Sequence, residues 1–244
     1  MKQTRIDDEN TNELYTVLPN VKKGVPDDRK ANIELYNEDN MILMARYPDN
    51  YFDLAIVDPP YGMVGNTFTT KDKKFTKGFA SARLDKPDSW ETKLSLGGRP
   101  TQEYWDELFR VSKNQIVFGM QYFTNFLPPT QCVIIWDKMN GDNYFSDAEI
   151  AWTSFDLGVR ICKIHNPTKN RIHPTQKAEK LYGWIINKYC KEGFKILDTH
   201  LGSGSIAIAC HKYKVDLVGC EIDEKYFNDA KRRLEIEQAQ QSFF

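Results

Sequence analysis

The stretch FKILDTHLGSGSIAIACHKY (residues 194–213) contains a strand, a glycine-rich turn and a helix in immediate succession. The apolar run before Asp198 is typical of a strand inside a sheet, and Gly202 and Gly204 then open an apolar helix. Glycines at such a turn let a ligand approach the backbone, and the free N–H groups at the start of the helix can hold a polar group. The stretch predicts a ligand-binding turn in an α/β sheet.

An acidic residue follows at the end of the next predicted strand, VDLVGCEID (215–223). In a doubly wound sheet, an acid at the position of Glu221 usually accepts hydrogen bonds from the two hydroxyls of a ribose. The alternative is a solvated acid at a strand end. NAD and S-adenosylmethionine both fit this pattern, but the third glycine of Gly-x-Gly-x-x-Gly is missing. The turn therefore favours S-adenosylmethionine over NAD as the ligand, and so argues against a nicotinamide dehydrogenase.

Strands and helices alternate along most of the chain. Further strands are predicted at residues 32–37, 52–58, 115–120, 132–137 and 148–155, and further helices at residues 39–48, 101–112, 179–190 and 224–240. This order predicts an α/β fold with a Rossmann-like, mostly parallel sheet and helices on both faces. Residues 1–30 are predicted to be a polar lead-in to one domain, residues 31–244.

Composition excludes several classes of protein. The 244 residues carry a net charge of −1, so bulk positive charge cannot drive nucleic-acid binding. The five cysteines are scattered without a CxxC pair, which predicts reduced thiols in a cytoplasmic protein and no metal site. The sequence has no apolar run long enough for a membrane span and no export signal, so no membrane partner is expected.

A second motif, AIVDPPYG (55–62), ends another apolar run on a carboxylate fixed against two prolines. An exocyclic amine of a base is a poor nucleophile because its lone pair is delocalised into the ring. If Asp58 accepted one N–H and the Pro59 carbonyl the other, the lone pair would be free to attack a sulfonium methyl. Methylation at cytosine C5 would need a cysteine after a proline, and the sequence has none. The alternative for Asp58 is a plain Asp-Pro turn.

Four motifs, DPPYG, LDTHLGSGS, GCEID and HPTQKA, together resemble the DNA amino-methyltransferases that modify adenine N6 or cytosine N4. The tetrad precedes the glycine loop, as in the circularly permuted β-type subgroup. The resemblance implies catalytic roles for Asp58, Pro59, Pro60 and Tyr61, with Tyr61 stacking on a flipped base. It implies that S-adenosylmethionine is held by Asp39, Asp58, His173, Lys177, Asp198, His200, Gly202, Ser203, Gly204 and Glu221. For His173 and Lys177 an exposed loop is the alternative.

Three departures from the family pattern stand out. Thr199 and His200 replace the usual Pro-Phe pair beside the cofactor, although a histidine ring can still stack. Ala178 replaces the last proline of HPTQKP. Between AWTSF and HPTQK too few residues remain for the separate target-recognition domain that many relatives insert there.

DNA contact is therefore expected from an embedded segment, residues 62–100, which has eight basic and four acidic residues and leaves directly from Tyr61. Its expected DNA-binding residues are Lys71, Lys73, Lys74, Lys77 and Arg83. A second basic stretch, residues 160–177, has no acid. The alternative is a solvated charged loop.

The expected function is methylation of adenine N6 in DNA, because cytosine-N4 relatives often have SPP in place of DPP. The target base must be flipped out or single-stranded. The alternatives are cytosine N4, adenine in RNA, and a catalytically silent cofactor- and nucleic-acid-binding protein. DNA is the expected partner, and a homodimer and a cognate restriction enzyme are left open.

Overall fold

The computed structural model describes residues 29–61, 98–140, 146–166, 171–173 and 175–241. The lead-in at residues 1–28 and most of the segment at residues 62–100 lie outside these ranges.

Eight strands form one sheet in the described part of the chain. They are β1 (Ile33–Tyr36), β2 (Leu54–Val57), β3 (Gln115–Phe118), β4 (Val133–Asp137), β5 (Ala148–Thr153), β6 (Arg160–Lys163), β7 (Lys195–Asp198) and β8 (Asp216–Cys220). Their order across the sheet is β1-β8-β7-β2-β3-β5-β4-β6. Only β5 runs against the others, pairing antiparallel with β3 and with β4. The sheet is therefore mostly parallel, as predicted from the sequence.

Each face of the sheet has its own hydrophobic core. Successive side chains of a strand point to opposite faces, and β2 shows the consequence: Leu54 and Ile56 belong to one core, Ala55 and Val57 to the other. The helices are α1 (Asn40–Met44), α2 (Gln102–Val111), α3 (Glu179–Tyr189), α4 (Ser205–Tyr213) and α5 (Glu224–Gln241). Helices α3, α4 and α5 pack into the first core, and α1 and α2 into the second.

Two elements differ from the sequence predictions. Helix α1 is shorter than the helix predicted at residues 39–48. Asp39 is its N-cap residue, and the helix ends at Met44. Strand β6 was not predicted, because RICK is short and its apolar and polar residues do not alternate. Its pairing with β4 defines it as a strand. No helix in the described ranges is long and apolar enough to span a membrane.

Candidate active site

The predicted site residues meet along one edge of the sheet. Parallel strands share an edge for their carboxyl ends, and β1, β8, β7, β2 and β3 are successive neighbours. Asp39, Glu221, Asp198, Asp58 and Gly119 lie at or just after the ends of these five strands, in that spatial order. The carboxyl edge of an open α/β sheet is where such folds bind their ligands.

Asp58 is held by a phenol and an ammonium group. Its Oδ1 accepts a hydrogen bond from the Tyr61 hydroxyl at 2.7 Å. Its Oδ2 accepts one from Nζ of Lys177, from the HPTQK segment. Two directional donors fix the orientation of the carboxylate, and each oxygen keeps a second lone pair for another N–H.

Lys177 is buried between two carboxylates. Its side chain is 4% exposed, and its Nζ lies 3.2 Å from Oε2 of Glu149 as well as on Asp58. This oxygen of Glu149 is near enough for an ion pair but has no aligned hydrogen-bond donor in the described part of the chain. Its other oxygen, Oε1, lies 2.8 Å from Nζ of Lys138. Asp58 is thus one end of a partly buried chain of alternating charges.

The ionisation of this chain follows from its charges. Burial lowers the pKa of Lys177, but Asp58 and Glu149 outweigh burial and hold it above the ordinary lysine value. Burial likewise raises the pKa of Glu149, but Lys177 and Lys138 hold it below its usual value. Lys177 and Glu149 are therefore both charged at neutral pH.

Tyr61 is packed on several sides. Its ring stacks on Tyr122 with centroids 4.6 Å apart and planes 15° apart, and the edge of Phe123 is 5.9 Å away. Gly119 has φ +70°, and a Cβ added there would lie 2.5 Å from Cζ of Tyr61. Burial, with the charge of Asp58, raises the Tyr61 pKa well above the ordinary value. The phenol therefore stays protonated and donates its hydrogen bond to Asp58.

The glycine turn is tied to Glu221. The N–H of Gly202 donates to Oε2 of Glu221 at 2.8 Å, and the N–H of Asp223 donates to Oε1 at 3.0 Å. Gly202 and Gly204 have φ of +51° and +70°. A Cβ on Gly204 would lie 2.8 Å from Cβ of Ala230 on α5, so both conformation and packing require glycine there. The predicted ribose acceptor is thus built into the turn and keeps lone pairs to share.

Asp198 is 2% exposed and accepts the N–H of His200 at 2.9 Å. Burial raises the pKa of Asp198 to about 7, and the nearby charges of Asp58 and Glu221 add to the effect. The charge of Asp198 is therefore sensitive to pH near neutrality.

His200, which replaces the family phenylalanine, is part of a polar chain. Asn40 Nδ2 lies 3.1 Å from its Nε2, and Thr199 Oγ1 lies 2.9 Å from its Nδ1. Thr199 also shares a 2.7 Å hydrogen bond with the Tyr104 hydroxyl. Burial lowers the pKa of His200 to about 4, so the ring is neutral at pH 7. Asn40 donates to Nε2, so the proton of the ring lies on Nδ1.

The remaining predicted residues have local roles. His173 is 8% exposed, contacts Tyr226 edge-on at 4.4 Å and lies 3.6 Å from the position of a Cβ on Gly202. The Asp39 side chain accepts the N–H of Met41 as the cap of α1. Ser203 is buried, and Arg233 donates to its carbonyl. The predicted DNA-binding residues, Lys71, Lys73, Lys74, Lys77 and Arg83, lie outside the described residues.

Sequence reasoning missed Glu149, Lys138, Gly119 and Tyr122. AEIAWTSF carried no clear signal for Glu149, because residues of both strand parities, Ala151 and Trp152, are buried against the two faces of the sheet. Tyr122 had no signal either, because its contact with Tyr61 depends on two strands lying side by side.

The chain is similar to known proteins in sequence and in fold. A family model described as DNA methylase, covering N6 and N4 methyltransferases, matches residues 20–232. The type II methyltransferase M.HpaI of Haemophilus parainfluenzae is 39% identical over 75 residues, which are 30% of this chain and 24% of that protein. M2.LlaDCHI of Lactococcus lactis subsp. cremoris, also a type II methyltransferase, is 21% identical over 84% of this chain and 90% of that protein.

A solved structure shares the fold. The M1.HpyAVI–SAM complex superposes with a TM-score of 0.55 at 20% identity, over 83% of this chain and the whole of the other.

Proposed function

The chain belongs to the DNA methylase family of N6 and N4 methyltransferases, and from that premise we propose that it transfers a methyl group from S-adenosylmethionine to the N6 amine of adenine in DNA. The observation that carries the proposal is the Asp58 carboxylate, oriented by Tyr61 and Lys177 beside the glycine turn. The chain covers only 24% of the length of two type II methyltransferases that it resembles. Its activity, the base that it methylates and its partner are therefore proposals.

The cofactor of the family is S-adenosylmethionine, and the groups at the sheet edge fit it. Glu221 offers acceptors for ribose hydroxyls at the turn that Gly202 leaves open to close approach. Asp198 and Asp39 offer further acceptors for an ammonium group or hydroxyls. The neutral ring of His200 provides a flat partner for adenine without the charge repulsion that a cationic ring would exert on a sulfonium.

Bound S-adenosylmethionine supplies an electrophilic methyl group. Asp58 and the Pro59 carbonyl each accept one N–H of the base amine and hold its lone pair toward that methyl. The new N–C bond forms as the S–C bond breaks, and the electron pair of the broken bond stays on sulfur. The amine nitrogen then loses one proton, for which the Asp58 carboxylate is the adjacent acceptor.

Adenine is proposed before cytosine because the tetrad begins with Asp58, as in many adenine-N6 relatives. The test is to incubate the full chain with labelled S-adenosylmethionine and either mixed-sequence DNA or RNA, and to identify the modified nucleoside after digestion. N6-methyladenine from DNA is expected. N4-methylcytosine from DNA, or label confined to RNA, would show that the proposed substrate is wrong and that the proposed methyl-transfer chemistry is right.

A catalytically silent binding protein is the alternative of another class, and His200 is the departure that favours it. The matched control is Asp58→Ala, which should bind S-adenosylmethionine within a few-fold of the wild type and lose nearly all transfer. If the wild type binds the cofactor but labels neither nucleic acid, the silent alternative replaces the proposal.

We propose that the segment at residues 62–100, which begins one residue after Tyr61, contacts DNA. Each lost phosphate contact should lower the slope of log K against log salt by about one. Lys73→Ala with Lys74→Ala should therefore weaken DNA binding and flatten its salt dependence while leaving cofactor affinity unchanged. Unaltered DNA affinity at low salt would move the DNA surface elsewhere. A homodimer and a partner restriction enzyme stay predictions.

A further inference from the structure

A tyrosine that no motif contains covers the ring expected to receive the target base. Tyr122 ends a short 3-10 turn, Met120–Tyr122, that follows β3 at the carboxyl edge of the sheet. Its ring lies over Tyr61 with centroids 4.6 Å apart and planes 15° apart. Near-parallel stacking at this separation is also the way in which a base would lie on Tyr61.

Tyr61 itself has little freedom to move. Its hydroxyl donates to Asp58 at 2.7 Å, which ties the end of the ring to the catalytic carboxylate. Its ring rests on Gly119, where even a Cβ would lie only 2.5 Å from Cζ. A shift of Tyr61 toward β3 is therefore blocked, and a shift away from Asp58 would break the hydrogen bond.

Tyr122 is the more displaceable partner of the stack. It belongs to a three-residue turn that starts from Gly119 in the left-handed conformation. Its neighbour Gln121 is exposed, and so are Thr124 and Asn125 just beyond Phe123. Its backbone carbonyl accepts a hydrogen bond from the side chain of Arg99 at the surface. Tyr122 lies outside the strands, so turning its side chain off Tyr61 breaks no strand pairing, although its ring also packs against the second core.

We propose that Tyr122 occupies, in the DNA-free protein, the place on the Tyr61 ring that the target base takes, so that a base must displace it to reach Asp58. This inference rests on the proposed function. It gives the protein a threshold: a base enters only when its own stacking on Tyr61 and its hydrogen bonds to Asp58 outweigh the stack that it replaces.

The rival arrangement is a sandwich, with the base inserted between the two rings. Two contact distances of about 3.5 Å would require the rings to stand roughly 7 Å apart, so Tyr122 must move in either case. The two arrangements differ in the sign of one measurement. Removing a competitor of the base tightens DNA binding, whereas removing a wall of the base pocket weakens it.

The test compares the full chain with Tyr122→Ala, Tyr122→Leu and Tyr122→Phe in steady-state methyl transfer to DNA. Tyr122→Phe keeps the stack and is the matched control, and Tyr122→Leu keeps apolar volume without an aromatic face. Aromatic stacking is worth about 2- to 10-fold in an equilibrium constant. We expect the Ala and Leu variants to lower KM for DNA by about that factor, while Tyr122→Phe matches the wild type and KM for S-adenosylmethionine does not change.

A direct readout uses a duplex that contains the methylated sequence, once product sequencing has identified it, with 2-aminopurine at the target base. The Ala and Leu variants should reach half-maximal fluorescence change at about 2- to 10-fold lower protein concentration than the wild type. A raised KM for DNA in both variants, or values equal to those of the wild type, would overturn the inference. A wild-type protein that methylates no DNA would instead overturn the proposed function.

Discussion

Replacing Lys177 by methionine tests the charge arrangement around Asp58. Methionine keeps most of the stem of the side chain but removes the ammonium group that lies between Asp58 and Glu149. Two carboxylates then share a buried site with Asp198 nearby and without the cation that separates them. We expect two separable consequences, one on stability and one on the rate of methyl transfer.

The size of each effect follows from the burial of the lysine. Removing one partner of a buried ion pair costs about 3–5 kcal/mol of unfolding free energy, because the remaining charge is uncompensated. Without the Lys177 donor, the Tyr61 hydroxyl is left to orient Asp58. A displacement of about 1 Å in a reacting group can cost about 100-fold in rate, so kcat at pH 7 should fall by up to about that factor.

The assay is kcat for methyl transfer at pH 7, with urea unfolding on the same samples. Lys177→Arg keeps the charge and a donor, so it should lose less stability and less activity than Lys177→Met. Lys212→Met removes a more exposed lysine that pairs with Glu179 and Glu237 and should change neither measurement.

Glu149→Gln removes the other carboxylate beside Lys177 and leaves the contact between Lys177 and Asp58 in place. Its kcat should therefore fall much less than that of Lys177→Met. If kcat is unchanged in folded Lys177→Met, Lys177 does not hold Asp58 in place and the reasoning is wrong.

Three further variants test other parts of the site. The raised pKa of Asp198, about 7, means that the folded protein favours the protonated carboxyl group. The stability that this group contributes is present below about pH 4 and is lost as pH rises through 7. At about 1.4 kcal/mol per pKa unit, Asp198→Asn should raise the unfolding free energy by roughly 2–4 kcal/mol at pH 8 and leave it unchanged at pH 4, as measured by urea unfolding. Gly119→Ala places a Cβ against Tyr61 at φ +70°, so unfolding free energy should fall by about 1–2 kcal/mol and kcat should fall with it; an unchanged kcat would show that Tyr61 is not fixed by this glycine. Glu221→Ala should weaken S-adenosylmethionine binding by about 1.5–3 kcal/mol in calorimetry, and equal affinity would leave Glu221 as a structural acceptor for the Gly202 N–H.

DPPYG, LDTHLGSGS and GCEID predicted the carboxyl edge because each one combines a strand end with its polar residue. DPPYG and LDTHLGSGS fix Asp58 and the glycine turn on neighbouring strands, and the structure pairs β2 with β7 in parallel. Once strands alternate with helices, the parallel arrangement and the shared edge follow from chain connectivity. The likeness to the family could therefore be seen in the sequence.

The contacts among these motifs could not be predicted in the same way. Lys177 was expected at the cofactor, but the structure places its Nζ on Asp58, 119 residues earlier in the chain. That contact depends on where the HPTQK segment crosses the sheet, and no local pattern encodes the crossing. The reversed direction of β5, which brings Glu149 to the same place, is likewise a property of strand pairing.

The order of strands in the sheet also has a consequence for synthesis on the ribosome. Within the described residues, strand β1 is at the edge of the sheet and pairs with β8 alone, with Ile33 opposite Leu217. The hydrogen bond from Asn32 to Asp216 at the start of this pair closes a loop of 184 residues. At about 5–20 residues per second, the nascent chain carries β1 without its partner for roughly 10–40 s. Among the described strands, the first to be made is therefore one of the last to be paired, and its backbone N–H and C=O groups stay open to pairing with another chain through that interval.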